Sequence, residues 1–170
     1  GVQSQSETVW RQADTYKVPR LCFVNKMDRV GASYERTNET IINRLGAHPV
    51  PIQMQIGAES SFEGVIDLIK GTAITYNMER DHTGATLPEM TVGEIPSEYL
   101  EEYQTRREAM LEKIVEYDET VMTRFLDGEE LTVDEIMSTI RKATINMDIV
   151  PVLFGTALAG KGWPLYTTDA

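Results

Sequence analysis

The sequence predicts the α/β class: a doubly wound, mostly parallel sheet interrupted by a small α+β insert. Three observations carry this. Leu21-Cys22-Phe23-Val24 and Ile149-Val150-Pro151-Val152-Leu153-Phe154 are continuous apolar runs, the pattern of strands buried on both faces, and each leads into a loop of polar or small residues. Helical patterns flank the first run, so helix, strand, loop and helix alternate as a parallel sheet requires. Between the two runs the pattern changes to alternating strands and then three helices. The charge changes with it: 17 acidic and 5 basic residues lie from Glu79 to Glu135, against 10 and 11 in the rest of the 170-residue chain, whose formal net charge is −11.

Taken in order, the first element is a helix over residues 7–16, with Ser6 as N-cap and Pro19 as its end. The strand at 21–24 follows, with Asn25-Lys26-Met27-Asp28 at its carboxyl end. A second helix is expected over 34–45, with Ile41, Ile42 and Leu45 inward and Gly46 as its stop. Residues 48–56 alternate, with Val50, Ile52, Met54 and Ile56 on one face, and read as one half-buried strand. Residues 62–69 and 72–76 read as two more strands, and 77–94 as a polar loop with pieces of ribbon. Helices are expected over 97–117, 119–126 and 133–146, the last opened by a capping box, Thr132-x-x-Glu135. The strand at 149–154 and the loop Gly155-Thr156-Ala157 return to the α/β pattern. Three segments result: 1–47 and 148–170 as pieces of one domain, and 48–147 as an acidic insert.

Composition narrows the function. With 41% hydrophobic and 25% charged residues the chain can bury a core and is not disordered throughout. No apolar run approaches the length of a membrane span. One cysteine, Cys22, excludes an internal disulfide and fits a reducing compartment, so a cytoplasmic location is expected. The negative balance argues against a general nucleic-acid clamp, DNA included, because the phosphate backbone rewards the opposite sign. The chain has no initiator Met and opens almost directly on a helical pattern, which reads as a fragment. His48, His82 and Cys22 are read as loop histidines and a core thiol, with no metal site expected. Met54, Met110, Met122, Met137 and Met147 are read as filling core gaps, and the acidic pairs on the helix at 97–117 as a solvated face.

The chemistry sits in two loops. Asn25-Lys26-Met27-Asp28 matches N-K-x-D, the guanine-reading pattern of GTPases. A carboxylate at the fourth position accepts two parallel hydrogen bonds from guanine N1–H and its exocyclic amine. Adenine offers no such pair and leaves the carboxylate desolvated and unpaired, which is a strong basis for discrimination. The Asn side chain ties the loop to its neighbours and faces N7, while the aliphatic stem of Lys26 lies over the base plane. Ligands of open α/β sheets bind off the carboxyl ends of strands, where this motif stands. Gly155-Thr156-Ala157 resembles the second base-contacting loop of GTPases, in which a backbone N–H, here that of Ala157, reaches guanine O6. No G-x-x-x-x-G-K-[ST] occurs among the 170 residues, and no D-x-x-G follows a strand. The residues that would cradle β- and γ-phosphates, hold Mg²⁺ and sense the γ-phosphate are therefore not among them.

Longer stretches carry a family resemblance. Gly1-Val2-Gln3-Ser4-Gln5-Ser6-Glu7-Thr8-Val9-Trp10-Arg11-Gln12-Ala13, Val18-Pro19-Arg20, Phe23-Val24-Asn25-Lys26-Met27-Asp28-Arg29 and Arg44-Leu45-Gly46-Ala47 resemble, without a register change, the bacterial-type translation elongation factor G family. Pro49-Val50-Pro51-Ile52-Gln53, Ile56-Gly57-Ala58-Glu59 and Gly64-Val65-Ile66-Asp67-Leu68 resemble the start of that family's G′ insert. Gly128-Glu129-Glu130-Leu131-Thr132 and Gly155-Thr156-Ala157 resemble its end and the return to the GTPase core. Thr156 stands where the family usually has Ser, and residues 163–170 depart from the amphipathic helix expected there.

The resemblance implies part of a P-loop GTPase domain from a ribosomal translocase that hydrolyses GTP to move tRNA and mRNA. It implies that Asn25, Lys26 and Asp28, with Thr156 and Ala157, contact guanine. It also implies GTP or GDP with Mg²⁺ in the parent protein, the ribosome as partner, and a stalk protein touching the acidic helices. Catalytic residues are expected outside this chain, which alone should not hydrolyse GTP. Two other readings stand beside it: a non-enzymatic acidic docking module for the stalk protein, and part of a related translational GTPase such as a release or ribosome-protection factor.

Overall fold

The computed structural model describes residues 2–77 and 89–156. The described elements run α1 (Ser4–Thr15), β1 (Cys22–Val24), α2 (Tyr34–Leu45), β2 (Pro49–Pro51), β3 (Gln53–Ile56), β4 (Gly64–Asp67), β5 (Thr72–Asn77), β6 (Glu89–Gly93), α3 (Leu100–Ile114), α4 (Glu119–Leu126), α5 (Val133–Ile145) and β7 (Val150–Phe154). They form two sheets. One is parallel, in the order β1-β7-β2, and the other antiparallel, in the order β3-β4-β5-β6.

The parallel sheet joins distant parts of the chain. Helix α2 carries the chain from β1 to β2 across a one-strand gap, and β7 fills that gap from about 100 residues later. Cys22, Phe23 and Val24 lie opposite Val152, Leu153 and Phe154, while Pro49, Val50 and Pro51 lie opposite Val150, Pro151 and Val152. The bonds from Val150 N–H to His48 C=O and from Ile52 N–H to Val152 C=O put the even-numbered residues of β2 toward β7. Pro49 and Pro51 then face the open edge, where no backbone donor is needed.

The run at 48–56 is two strands rather than one. Its alternation continues through Ile52, but β2 ends in the parallel sheet and β3 begins the antiparallel one. Neither is half-buried: Val50, Ile52, Met54 and Ile56 are buried as expected, and so are Pro49, Pro51 and Gln53 between them. Where β2 leaves β7, the Gln53 side chain takes its place, its Oε1 accepting from Phe154 N–H at 3.0 Å. A buried backbone N–H is thus satisfied by a polar residue inside an apolar strand.

Two apolar clusters flank the sheets. Ile52, Ile66, Met110, Ile114, Ile136, Ile140, Ile149 and Leu153 belong to the larger, under α3 and α5. Met27, Ile41, Phe62, Val65, Ile74, Val152 and Phe154 belong to the second, under α2. The central strand β7 is buried throughout, as its unbroken apolar run requires. The expectation of burial on both faces fails for β1, an edge strand of the described sheet that is only partly buried, with Leu21 before it 57% exposed.

Helix starts follow local cap chemistry in three of the five α-helices described. Ser33 caps α2 by accepting from Arg36 N–H, and Gly46 closes it in the left-handed conformation at φ 61°. Asp118 caps α4, and the expected box of Thr132 and Glu135 caps α5. Helices α1 and α3 start without a side-chain cap, at Gln3 and Tyr99, and α1, from Ser4, buries no residue. Ser6 lies inside it, not at its cap.

Three other expectations fail at the surface. Ile42 is 46% exposed, Met122 39% and Met137 41%, so none of them fills the core. Ribbon within 77–94 is present as β6, and the residues after 156, including Ala157 and the divergent tail, lie outside the described residues.

Candidate functional site

β1 and β7 are neighbours and parallel, so their carboxyl ends emerge side by side. Two backbone hydrogen bonds then join the loops that follow. Gly155 N–H donates to Val24 C=O, and Met27 N–H donates to Gly155 C=O, both at 3.1 Å. The Asn25-Lys26-Met27-Asp28 loop and the Gly155-Thr156 segment are therefore one backbone unit at one end of the sheet.

Within the first loop the side chains alternate in role. Met27, the variable position of the motif, is 1% exposed and packs in the cluster that holds Ile41 and Phe154. Asn25, Lys26 and Asp28 are exposed around it. Lys26 sits in the left-handed region at φ 64°, an uncommon conformation for a residue with a Cβ. The Asn25 side chain supports it, its Oδ1 accepting from Lys26 N–H at 2.8 Å. A turn closed from Arg29 N–H to Lys26 C=O at 3.1 Å then places Asp28 at its corner.

On the other side, Thr156 is 1% exposed, so its side chain is packed inward rather than presented to solvent. The structure thus brings Asn25, Lys26 and Asp28 together with the Gly155-Thr156 backbone, and leaves Ala157 undescribed.

Helices α2 and α3 meet beside the end of β7. Phe154, the last residue of β7, meets the Tyr34 ring edge-on with centroids 5.3 Å apart. The Arg106 guanidinium of α3 also lies over the Tyr34 ring, 4.7 Å from its centroid, and pairs with Glu35 at 3.3 Å and Glu102 at 2.7 Å. The backbone N–H of Glu35 itself, the Ser33 hydroxyl and Arg106 together hold the Glu35 carboxyl below its usual range against the opposing effect of burial. Burial pushes the Cys22 thiol of β1 up to about 11, with Arg20 pulling weakly the other way, so this cysteine is a neutral core group.

Spacing alone did not reveal Met27 as an anchor, Gly155 as the cross-link, or the Tyr34–Arg106 contact. Each depends on which distant segments become neighbours. Among the described residues no group of three or more His, Cys, Asp or Glu could hold a metal ion, and no chemistry is assigned through one. No helix among them is long and apolar enough to cross a membrane.

A parallel sheet packed between helices, with an N-K-x-D motif and a small-residue segment bonded together at its carboxyl end, is the arrangement of an α/β GTP-binding domain. The chain belongs to the family described as the elongation factor Tu GTP binding domain, which matches residues 1–168. It is similar to elongation factor G of Thermotoga neapolitana, at 53% identity over 162 residues, covering 95% of this chain and 22% of that protein. Elongation factor G of Thermotoga maritima is 52% identical over the same length and shares. The chain thus spans about a fifth of the length of these curated relatives. A crystal structure of a Thermus thermophilus protein superposes with a TM-score of 0.76 at 29% identity, covering 94% of this chain and 23% of that one.

Proposed function

We propose that this chain is a segment of an elongation factor G and supplies the guanine-reading part of its GTPase domain. Asp28 accepts from guanine N1–H and the exocyclic amine, the Lys26 stem covers the base plane, and Asn25 fixes the loop beside N7. Gly155-Thr156-Ala157 offers backbone, with Ala157 N–H toward O6. The observation that supports this most is the pair of bonds Gly155 N–H to Val24 C=O and Met27 N–H to Gly155 C=O, which makes one surface of the two loops.

In the full-length parent, GTP hydrolysis would drive movement of tRNA and mRNA through the ribosome, in the cytoplasm, with Mg²⁺ and the phosphate groups held by residues other than these. Segments 1–47 and 148–170 would form one domain. The insert would leave it at Ile52, after β2 has paired with β7, rather than at residue 48. The segment from Glu79 to Glu135 suits a basic partner such as the stalk protein, since it carries 17 of the chain's 27 acidic residues; helices α3, α4 and α5 themselves hold only 7 of these, so the segments between and before them would contribute most of the charge. The chain alone would not hydrolyse GTP.

Competition of unlabelled nucleotides against a fluorescent GDP analogue on the full-length parent tests the reading. GDP should compete at least about a thousandfold better than ADP, because the wrong base leaves a carboxylate unpaired. Equal competition would remove the guanine assignment.

A further inference from the structure

We propose that Glu59 is a positioning residue for the base-reading loop: its carboxylate holds Gly31 N–H and thereby fixes the direction in which Asp28 presents its oxygens. The proposal rests on the guanine reading above and adds a specificity-determining residue from the middle of the chain.

Asp28 is exposed and has no ion pair among the described residues, so its direction is set by backbone alone. That backbone is two consecutive turns. Arg29 N–H closes the first on Lys26 C=O, and Ala32 N–H closes the second on Arg29 C=O, both at 3.1 Å. The near end is fixed to β7 through Met27 and Gly155. At the tip Val30 is 90% exposed, and the chain packs against the second cluster again only from Ala32. Among the described residues the tip is held by one long-range hydrogen bond, from Gly31 N–H to Glu59 Oε1 at 2.8 Å, between residues 28 positions apart. A bond to an ionised acceptor is stronger than one between neutral groups.

Glu59 is itself rigidly mounted. It occupies the left-handed region at φ 53°, and Gly57 two residues before it does so at φ 73°. A Cβ on Gly57 would meet Ser61 O at 1.9 Å, so this turn closes only around glycine. Gly57 N–H donates to the Tyr99 hydroxyl at 3.0 Å, Ala58 N–H to Ser61 Oγ at 3.2 Å and Phe62 N–H to Glu59 C=O at 3.1 Å. Phe62 is buried at 3% exposure and anchors the turn in the same cluster as Met27. Backbone held in an unfavourable region by over-determining contacts marks a place where position matters. The bond ties this turn, buttressed by Tyr99 ahead of α3, to the loop that reads the base.

The test compares GDP with IDP on the full-length parent. Hypoxanthine keeps N1–H but lacks the exocyclic amine, so the ratio of the two affinities reports whether Asp28 reaches both donors. Glu59→Ala should lower the GDP/IDP ratio by about five- to tenfold, part of the roughly ten- to hundredfold that one hydrogen bond to a charged group is worth, since the bond is misdirected rather than removed. Glu59→Gln, whose amide oxygen still accepts from Gly31 N–H, should recover most of it. Glu112→Ala, which removes an exposed charge from α3, should leave the ratio at the wild-type value. A purely structural role for Glu59 would weaken both nucleotides equally and lower the unfolding midpoint without changing the ratio. An unchanged ratio in Glu59→Ala, with wild-type discrimination intact, overturns the proposal and leaves the guanine reading standing. Loss of discrimination in the wild type itself would remove the guanine reading, and the proposal with it.

Discussion

Met27 shows how a recognition loop is anchored by the one residue its motif leaves unspecified. Its neighbours face solvent, while its own side chain is buried and its N–H reaches Gly155. Met27→Ala should destabilise the fold by about 2–4 kcal/mol in chemical denaturation, while Met27→Leu should cost less than about 1.5 kcal/mol because it conserves volume. Equal stability of the alanine variant would show that the loop is not held from below. At this scale the sequence was legible where chemistry is carried by residue type and spacing: Asn25, Lys26 and Asp28 emerge exposed at a strand end, as their pattern requires. It was not legible where the question was which way a side chain points. Ile42, Met122 and Met137 are apolar residues on helices whose buried stripe is narrower than periodicity suggests, and all three reach solvent. Glu59 offered no signal, because the bond that gives it meaning spans 28 positions.

At the scale of elements, the short runs carried the fold further than the long ones. Strands β1 and β7, helix α2 and the capping box of α5 were readable because apolar runs and cap residues are local signals. The break at Ile52 was not readable, since the side-chain alternation continues across it while the hydrogen-bonding partner changes. Gln53 is the residue that makes this change possible. Gln53→Leu would leave Phe154 N–H buried and unpaired, and should cost about 1–3 kcal/mol in unfolding free energy. A neutral substitution there would mean that β7 is held without it.

The contact between α2 and α3 makes a pH-dependent prediction. The Glu35 carboxyl is held below its ordinary value of 4.5, so the stability it contributes is present above about that pH and is lost as pH falls through the lower folded value. Unfolding midpoints of the wild type and Glu35→Gln should therefore differ slightly at pH 7 and converge in acid, once the pH has fallen below the lowered folded value. The same gap at both would detach Glu35 from the pair with Arg106.

For the whole molecule, net charge and architecture turn out to be separate matters. The formal −11 belongs to the middle of the chain, which folds as an antiparallel sheet and three helices, while the outer segments, up to residue 51 and from 148, supply the three strands of the parallel sheet and are close to neutral. A single cluster nevertheless runs from Ile52 and Met54 through Ile136 and Ile140 to Ile149 and Leu153. Composition could separate the segments by charge, but only the packing could show that they share a core.

The central claim is that Asp28 reads guanine. Its most direct test is the Asp28→Asn variant of the full-length parent, titrated with GDP and with XDP. Xanthine carries a carbonyl where guanine carries its exocyclic amine, so an amide N–H at residue 28 should pair with it. GDP should bind about a hundredfold or more weaker than to the wild type, and XDP correspondingly tighter. Unchanged preference for GDP over XDP in the variant would contradict the account.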